Sequence, residues 1–164
     1  MSYFIIIRGP LVSGKTTISK QLSKLLNAEH IFIDKVLDEN KLDKVDPKAD
    51  RIPVENFIKA NEIILPTAKE KFSKGQIVIF DGCFYYKEPI EHLIKNLPYP
   101  HYEFTLKVSV EECIKRDSFR NLVYGEDATR AVYNMVSRFD YGKNIDVSGD
   151  LDSAIKQILF FLPK

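Results

Sequence analysis

Five short apolar runs of strand length space the chain: YFIII from Tyr3, HIFI from His30, QIVIF from Gln76, YEFTLKV from Tyr102 and NIDV from Asn144. Between them apolar positions recur every three or four residues, the period of an amphipathic helix. That pattern predicts helices over Lys15 to Leu26, near Val54 to Lys74, near Pro89 to Leu97, from Val110, near Ala128 to Arg138 and near Leu151 to Leu162. Strands rich in Ile, Val and Phe on both faces, separated by helices, predict a parallel sheet covered on both sides, and so an α/β fold.

Local punctuation sharpens the boundaries. Ser109-Val110-Glu111-Glu112 has the form of a capping box, in which a hydroxyl and a carboxylate satisfy two unpaired backbone donors. Pro53 suits a first helical turn and Gly75 a helix exit. Pro66 removes one backbone hydrogen bond and is expected to kink or split the long helix. The charged segment Lys35 to Pro53 reads as a surface loop.

The totals bound the answer. A chain of 164 residues is expected to form one domain over 1–164. With 24 Lys and Arg against 23 Asp and Glu, a net charge of +1 lacks the field expected of an obligate duplex binder, so nucleic acid is not favoured as a partner. No apolar run approaches the roughly 20 residues of a membrane span. The expectation is a soluble, cytoplasmic protein that needs no membrane; its oligomeric state is not written in the chain. Cys83 and Cys113 stand alone, without CxxC spacing or clustered His, and read as small buried hydrophobes.

The densest chemistry lies in Gly9-Pro10-Leu11-Val12-Ser13-Gly14-Lys15-Thr16, which satisfies the pattern G-x-x-x-x-G-K-[ST] and is followed by Thr17. It follows a strand and opens a helix, the setting in which backbone N–H groups and a positive helix end surround phosphates. Lys15 would neutralise the β and γ oxygens and the Thr16 hydroxyl would ligate Mg²⁺. A guanine-reading N-K-x-D at Asn40-Lys41-Leu42-Asp43 comes too soon after the loop and follows no strand, so it reads as a solvated loop.

In an open parallel sheet, ligands bind beyond the carboxyl ends of the strands. Asp34 closes HIFID and Asp81 closes IVIFD, so folding is expected to bring both to the crevice of the phosphate loop. Phosphoryl transfer to a hydroxyl needs a carboxylate for the acceptor and often a second one near Mg²⁺; helix or loop capping is the competing role for each. Arg116 and Arg120 are four apart on an expected helix, and a Gly125 segment separates it from the next. They either stabilise the moving phosphoryl group from a mobile cover or sit on a solvated face with Asp117 and Glu112. Phe84, Tyr85 and Tyr86 either stack on a ligand or pack.

This order of parts resembles the nucleoside-monophosphate-kinase-like group of P-loop kinases, with shikimate and gluconate kinases, chloramphenicol phosphotransferase, zeta toxin and polynucleotide 5′-kinases among its members. GPLVSGKTT matches their phosphate loop, IVIFDG their third strand, and KVSVEECIKRDSFR the strand and helix leading into an arginine-bearing lid. The resemblance implies a three-layer fold with a five-stranded parallel sheet of order 2-3-1-4-5 and a short lid. It implies ATP and Mg²⁺ as cofactors and a hydroxyl-bearing small molecule as acceptor. By that analogy Gly9, Val12, Ser13, Gly14, Lys15, Thr16, Thr17 and Arg116 hold the nucleotide, and Asp146, Val147 and Ser148 lie near the adenine. Lys15, Asp34, Arg116 and Arg120 act in catalysis; Asp34, Asp81 and Arg130 meet the substrate; Thr16 and Asp81 meet the metal.

The chain departs from shikimate kinases, since Asp81-Gly82-Cys83-Phe84 replaces their glycine triplet and Asp34-Lys35-Val36-Leu37-Asp38 their D-x-D. That argues against shikimate itself. Three functions follow in order: a kinase of a small-molecule hydroxyl, a kinase of nucleic-acid 5′ ends, and a nucleotide-binding or ATPase module with no phosphorylated acceptor.

Overall fold

The first apolar run forms the central strand β1 (Phe4–Arg8), buried along its whole length. The computed structural model describes residues 1–164 and continues with α1 (Lys15–Leu26), β2 (Glu29–Phe32), α2 (Ile33–Glu39), α3 (Val54–Ser73) and β3 (Val78–Gly82). Then come α4 (Glu88–Asn96), β4 (His101–Lys107), α5 (Val110–Ser118), α6 (Glu126–Val136), β5 (Lys143–Asp146) and α7 (Leu151–Phe161).

All pairings are parallel and the strand order is β2-β3-β1-β4-β5, the order implied by the resemblance. Successive side chains of a strand point to opposite faces, so β1 feeds two cores. Phe4 and Ile6 join Val78 and Phe80 of β3 under α2, α3 and α4. Ile5 and Ile7 join Ile79, Phe104 and Leu106 under α1 and α7. A sheet covered on both faces needs apolar residues at every central position, which is why its strands read as continuous apolar runs.

Three expectations give way. The start of the charged segment is helix α2, because Ile33 and Leu37, spaced by four, bury one face against the sheet while Lys35, Asp38 and Glu39 stay in water. Pro66 does not split α3, which runs unbroken from Val54 to Ser73. Pro66 and Glu62, whose carbonyl the ring leaves without its helical donor, lie on the exposed face, while Ile64, Leu65 and Ala68 keep the inner face buried. Only half of the capping box forms. Ser109 Oγ accepts from the Glu112 N–H at 3.2 Å, but the Glu112 carboxylate turns forward to Arg116 Nε at 3.0 Å. Pro53 stands at the N-cap of α3, one place before the first turn, and Gly75 leaves the helix at φ 77° as expected.

Gly142, at the entry to β5, has φ 72°, and a Cβ there would stand 2.0 Å from the Glu103 carbonyl oxygen of β4. Neither the backbone conformation nor the space admits a side chain. Gly142→Ala is expected to cost about 2 kcal/mol or more in chemical denaturation. A wild-type midpoint would contradict this packing of β5 on β4.

Candidate active site

Between the end of β1 and the start of α1 the chain must turn sharply while leaving most of its N–H groups unpaired, the Ser13 N–H alone turning back to the Pro10 carbonyl at 3.3 Å. Gly14 makes that turn at φ 93° with open space around its missing side chain, so conformation alone selects glycine there. At Gly9 space is the reason, since a Cβ would lie 2.8 Å from Ser13 Oγ and 3.1 Å from Leu106 Cβ. Val12 also has a positive φ, 62°, which a β-branched side chain adopts only at a cost of about 1–3 kcal/mol. Ser13 Oγ is buried with no partner. The loop therefore holds strain and an unsatisfied polar atom together.

Lys15 is 6% exposed and donates from Nζ to the Pro10 carbonyl at 3.2 Å. It opens into a cavity of about 470 Å³, whose walls include Leu11, Val12, Gly14, Thr16, Thr17, Phe32, Asp34, Arg116, Arg120 and Tyr124. A smaller cavity of about 210 Å³ lies on the other side of the loop, between Ser13, Ile18, Arg116, Val147 and the start of α7. Loop and α1 N-terminus together offer backbone donors and a positive helix end to an anion.

Asp34 sits in the first turn of α2, half-buried and facing this cavity. Burial raises its carboxyl above the ordinary 3.8, while Lys15 pulls it down and Asp81 pushes it further up. The Cys83 thiol, just beyond β3, donates to Asp34 Oδ2 at 3.7 Å. Burial pushes that thiol up to about 12, so it is a neutral donor at pH 7. Burial would also lower the Lys15 ammonium, but the facing side chains of Cys83, Asp34 and Asp81 reverse this and hold it above the ordinary lysine value. The thiol is uncharged at neutral pH, so the acidic side chains that face the lysine are Asp34 and Asp81.

Asp81, expected near the metal and the substrate, is not among the residues that wall the cavity. It stands inside β3, in register with Ile7 of β1 and Phe32 of β2, and is 0% exposed. Its Oδ2 lies 3.0 Å from His30 Nε2 and its Oδ1 has no partner. Asp81 thus bears on Lys15 electrostatically and not from the cavity wall.

The two arginines part company. Arg116 in α5 spends its guanidinium on Glu112, on the Val147 carbonyl at 2.7 Å and on the Ser13 carbonyl at 3.4 Å, and it lines both cavities. Arg120 is not on the helix, since α5 ends at Ser118, yet it reaches the same cavity from the turn that follows. It lies 3.9 Å from Asp117 and 4.5 Å over the Tyr124 ring, so its donors are nearly free. Arg130 pairs with Glu126 on the exposed face of α6 and lines neither cavity. Asp146 turns its Oδ1 to the Ser148 N–H and hydroxyl, and of the expected adenine neighbours only Val147 lines the second cavity.

The tyrosines pack. Tyr85 OH accepts from the Ile52 N–H at 3.0 Å and Tyr86 OH donates to the Ile52 carbonyl at 2.8 Å, pinning the segment before α3. Phe84 and Tyr85 are buried in the core beneath α3. The reading of the chain missed Cys83 as a partner of Asp34, Phe32 and Tyr124 as cavity walls, and Arg8. The last had a signal: a charged residue at the end of a strand buried on both faces must be satisfied by something. Arg8, 0% exposed, donates to the carbonyls of Phe84, Val136 and Phe139 and to Thr105 Oγ1, and stacks 4.2 Å over the Phe139 ring.

A parallel sheet of this order, a strand-loop-helix phosphate cradle and a short arginine-bearing turn between α5 and α6 define the nucleoside-monophosphate-kinase-like group of P-loop proteins. The family described as AAA domain matches residues 5–123, and the chain belongs to it. A shikimate kinase of Clostridium botulinum (strain Okra / Type B1) is 32% identical over 112 residues, 68% of this chain and 63% of that protein. This chain therefore spans less than two thirds of that relative. Another, from the Loch Maree / Type A3 strain, is 31% identical over 128 residues, 75% of this chain and 72% of that protein. The unliganded structure of a sugar kinase from Janibacter sp. HTCC2649 shares the fold with a TM-score of 0.76 at 13% identity, covering 98% of this chain and 94% of that one.

Proposed function

We propose that this chain is an ATP-dependent phosphotransferase that moves the γ-phosphoryl group to a hydroxyl of a small molecule, with Mg²⁺ and in the cytoplasm. One observation carries the reading: Asp34, held above the ordinary aspartate value, faces the same cavity as Lys15, Thr16 and Arg120. A base of raised basicity opposite a phosphate cradle is what transfer to an alcohol requires, and a module that only binds nucleotide has no use for it. The two shikimate kinases support the class of reaction, and the fold agrees with it.

In this reading the loop N–H groups and Lys15 hold the β and γ oxygens. Arg116, between the two cavities, borders the nucleotide. Asp34 takes the proton of the acceptor hydroxyl while the Cys83 thiol fixes its other side, and Arg120 meets the charge that spreads over the transferring group. The protein has no group of three or more His, Cys, Asp or Glu side chains to cage a metal. The Thr16 hydroxyl in the cavity wall fits Mg²⁺ held by one protein oxygen and by phosphates, and the ion would supply neutralisation of the β and γ oxygens. No helix is long and apolar enough to cross a membrane.

The test is a panel of small hydroxyl compounds, shikimate included as a comparison, with Mg-ATP and product detection by mass. One small alcohol is expected to give a phosphoester and ADP in equal amounts. Labelling confined to oligonucleotide 5′ ends, or ADP without any phosphorylated acceptor, would contradict the reading. The pH profile adds a second check. A base must be unprotonated, so kcat/KM falls on the acid side as pH drops through the Asp34 pKa. Burial places that limb above the ordinary 3.8, and a limb at or below this value would contradict the role.

A further inference from the structure

Asp117 is the residue whose environment the proposed chemistry leaves unexplained. A carboxylate at the C-terminal end of a helix meets an unfavourable dipole, and one that is 3% exposed also loses its hydration. The structure shows what offsets both. Oδ1 accepts from the Tyr124 N–H at 3.0 Å, and Oδ2 accepts from the Gly125 N–H at 2.9 Å, at the N-cap of α6. The same residue's carbonyl accepts from the Arg120 N–H at 3.0 Å. Asp117 thus closes the turn between α5 and α6 from both ends.

That turn has little else to hold it. Phe119 and Leu122 are 79% and 82% exposed, and Val123 and Tyr124 are at least half exposed, so no apolar core fixes its shape. Yet it delivers Arg120 and Tyr124 to the wall of the large cavity, with the guanidinium 4.5 Å from the ring centre. The Asp117 carboxylate stands 3.9 Å from Arg120, too far for a hydrogen bond, which leaves the guanidinium donors for a ligand.

We infer that Asp117 is a positioning residue: it shapes the turn over residues 119–125 so that Arg120 points into the phosphate cavity, and it acts on transfer through Arg120. This rests on the proposed role of Arg120 at the transferring group. An arginine aimed by a loop is worth little to a transition state unless the loop returns it to one place, and a displacement of about 1 Å costs on the order of 10²-fold.

Two measurements on the full chain test it. The first is hydrogen exchange at the Tyr124 and Gly125 amides, without ligand. Asp117→Asn, which puts an amide donor where a carboxylate accepted, is expected to speed both by roughly 10-fold or more. Arg120→Ala is expected to leave them protected. The second is ADP formation from Mg-ATP, with the best acceptor of the panel or with water. D117N and R120A are each expected to lower kcat at least tenfold with KM for ATP little changed, and the double variant to be no slower than R120A. A residue that only stabilised the fold would slow the double variant further. Unchanged amide exchange in D117N, or multiplied losses in the double variant, overturns the inference while leaving the kinase reading in place. A fully active R120A removes Arg120 from the reaction and takes the inference with it. Should D117N fail to fold, Asp117→Glu, which keeps the charge but displaces both oxygens, is read by the same criteria.

Discussion

Asp34→Asn will lower kcat for the small-molecule acceptor by about 10²- to 10⁴-fold and leave ATP affinity within a few-fold of wild type. The asparagine keeps the shape of the first turn of α2 and an oxygen for the Cys83 thiol, but it cannot take a proton. The groups proposed to hold the nucleotide are the loop and Lys15, so binding and turnover are expected to separate. Stability gives the same variant a second, opposite readout. Because burial raises the Asp34 carboxyl, the folded chain holds that proton more tightly than the unfolded one. The group's contribution is therefore most favourable below the unfolded value and is lost as pH rises through the folded one. Wherever Asp34 is ionised it costs stability, and at pH values above its folded pKa D34N is expected to unfold at or above the wild-type midpoint. A variant that keeps wild-type turnover, or one that loses several degrees, would contradict Asp34 as a strained functional carboxylate.

Arg8→Met will destabilise the fold by about 3 kcal/mol or more, a fall of roughly 10 °C for a chain of this size. Burial lowers the guanidinium to about 10, with Asp140 opposing, so it is charged at neutral pH and has no carboxylate in contact. Its desolvation cost is met by three carbonyls, one hydroxyl and a ring face. Methionine removes that cost, but it leaves the buried carbonyls of Phe84 and Val136 without this donor, at about 1–3 kcal/mol each, and the half-buried Phe139 carbonyl at less. The orphaned acceptors outweigh the relief of the charge. Arg8→Lys is expected to fail nearly as badly, since one ammonium cannot reach groups arranged around a planar fork. Arg8 directly precedes Gly9, so both variants are also expected to loosen the phosphate loop. Denaturation midpoints equal to wild type for both would show that α6 and the turn after β3 do not depend on this side chain.

The sheet was legible because the middle of a strand buried on both faces has to be apolar, and no other demand on YFIII or IVIF competes with that. The loop was legible for a related reason. A left-handed turn at Gly14 directly before a helix leaves so few residue choices that the motif nearly spells its backbone. Asp34 was found, although as a strand end and not as the first turn of α2. The Ile33 and Leu37 face of that helix is too short to stand out among charges.

What the chain concealed is depth. Asp81 and Asp34 look alike as carboxylates after apolar runs, but the registers of β1 and β2 close over Asp81. Pairing across strands is not written in either strand alone. Arg8 is legible as an anomaly but not as a solution, since its acceptors come from positions 76 to 131 residues away. Cys83 was read as a small hydrophobe, which its burial bears out, but its contact with Asp34 joins residues 49 positions apart. Arg130 and Asp146 were placed by analogy, and the exposed face of α6 and the turn to Ser148 hold them elsewhere.

Calorimetric titration of the folded protein with Mg-ATP, repeated on Lys15→Ala, decides whether the loop after β1 holds a triphosphate. Saturable binding at one site is expected for the wild type, and its loss or severe weakening in the variant, whose loop no longer sets the Lys15 ammonium beside Asp34. Absence of triphosphate binding by well-folded wild-type protein would contradict it.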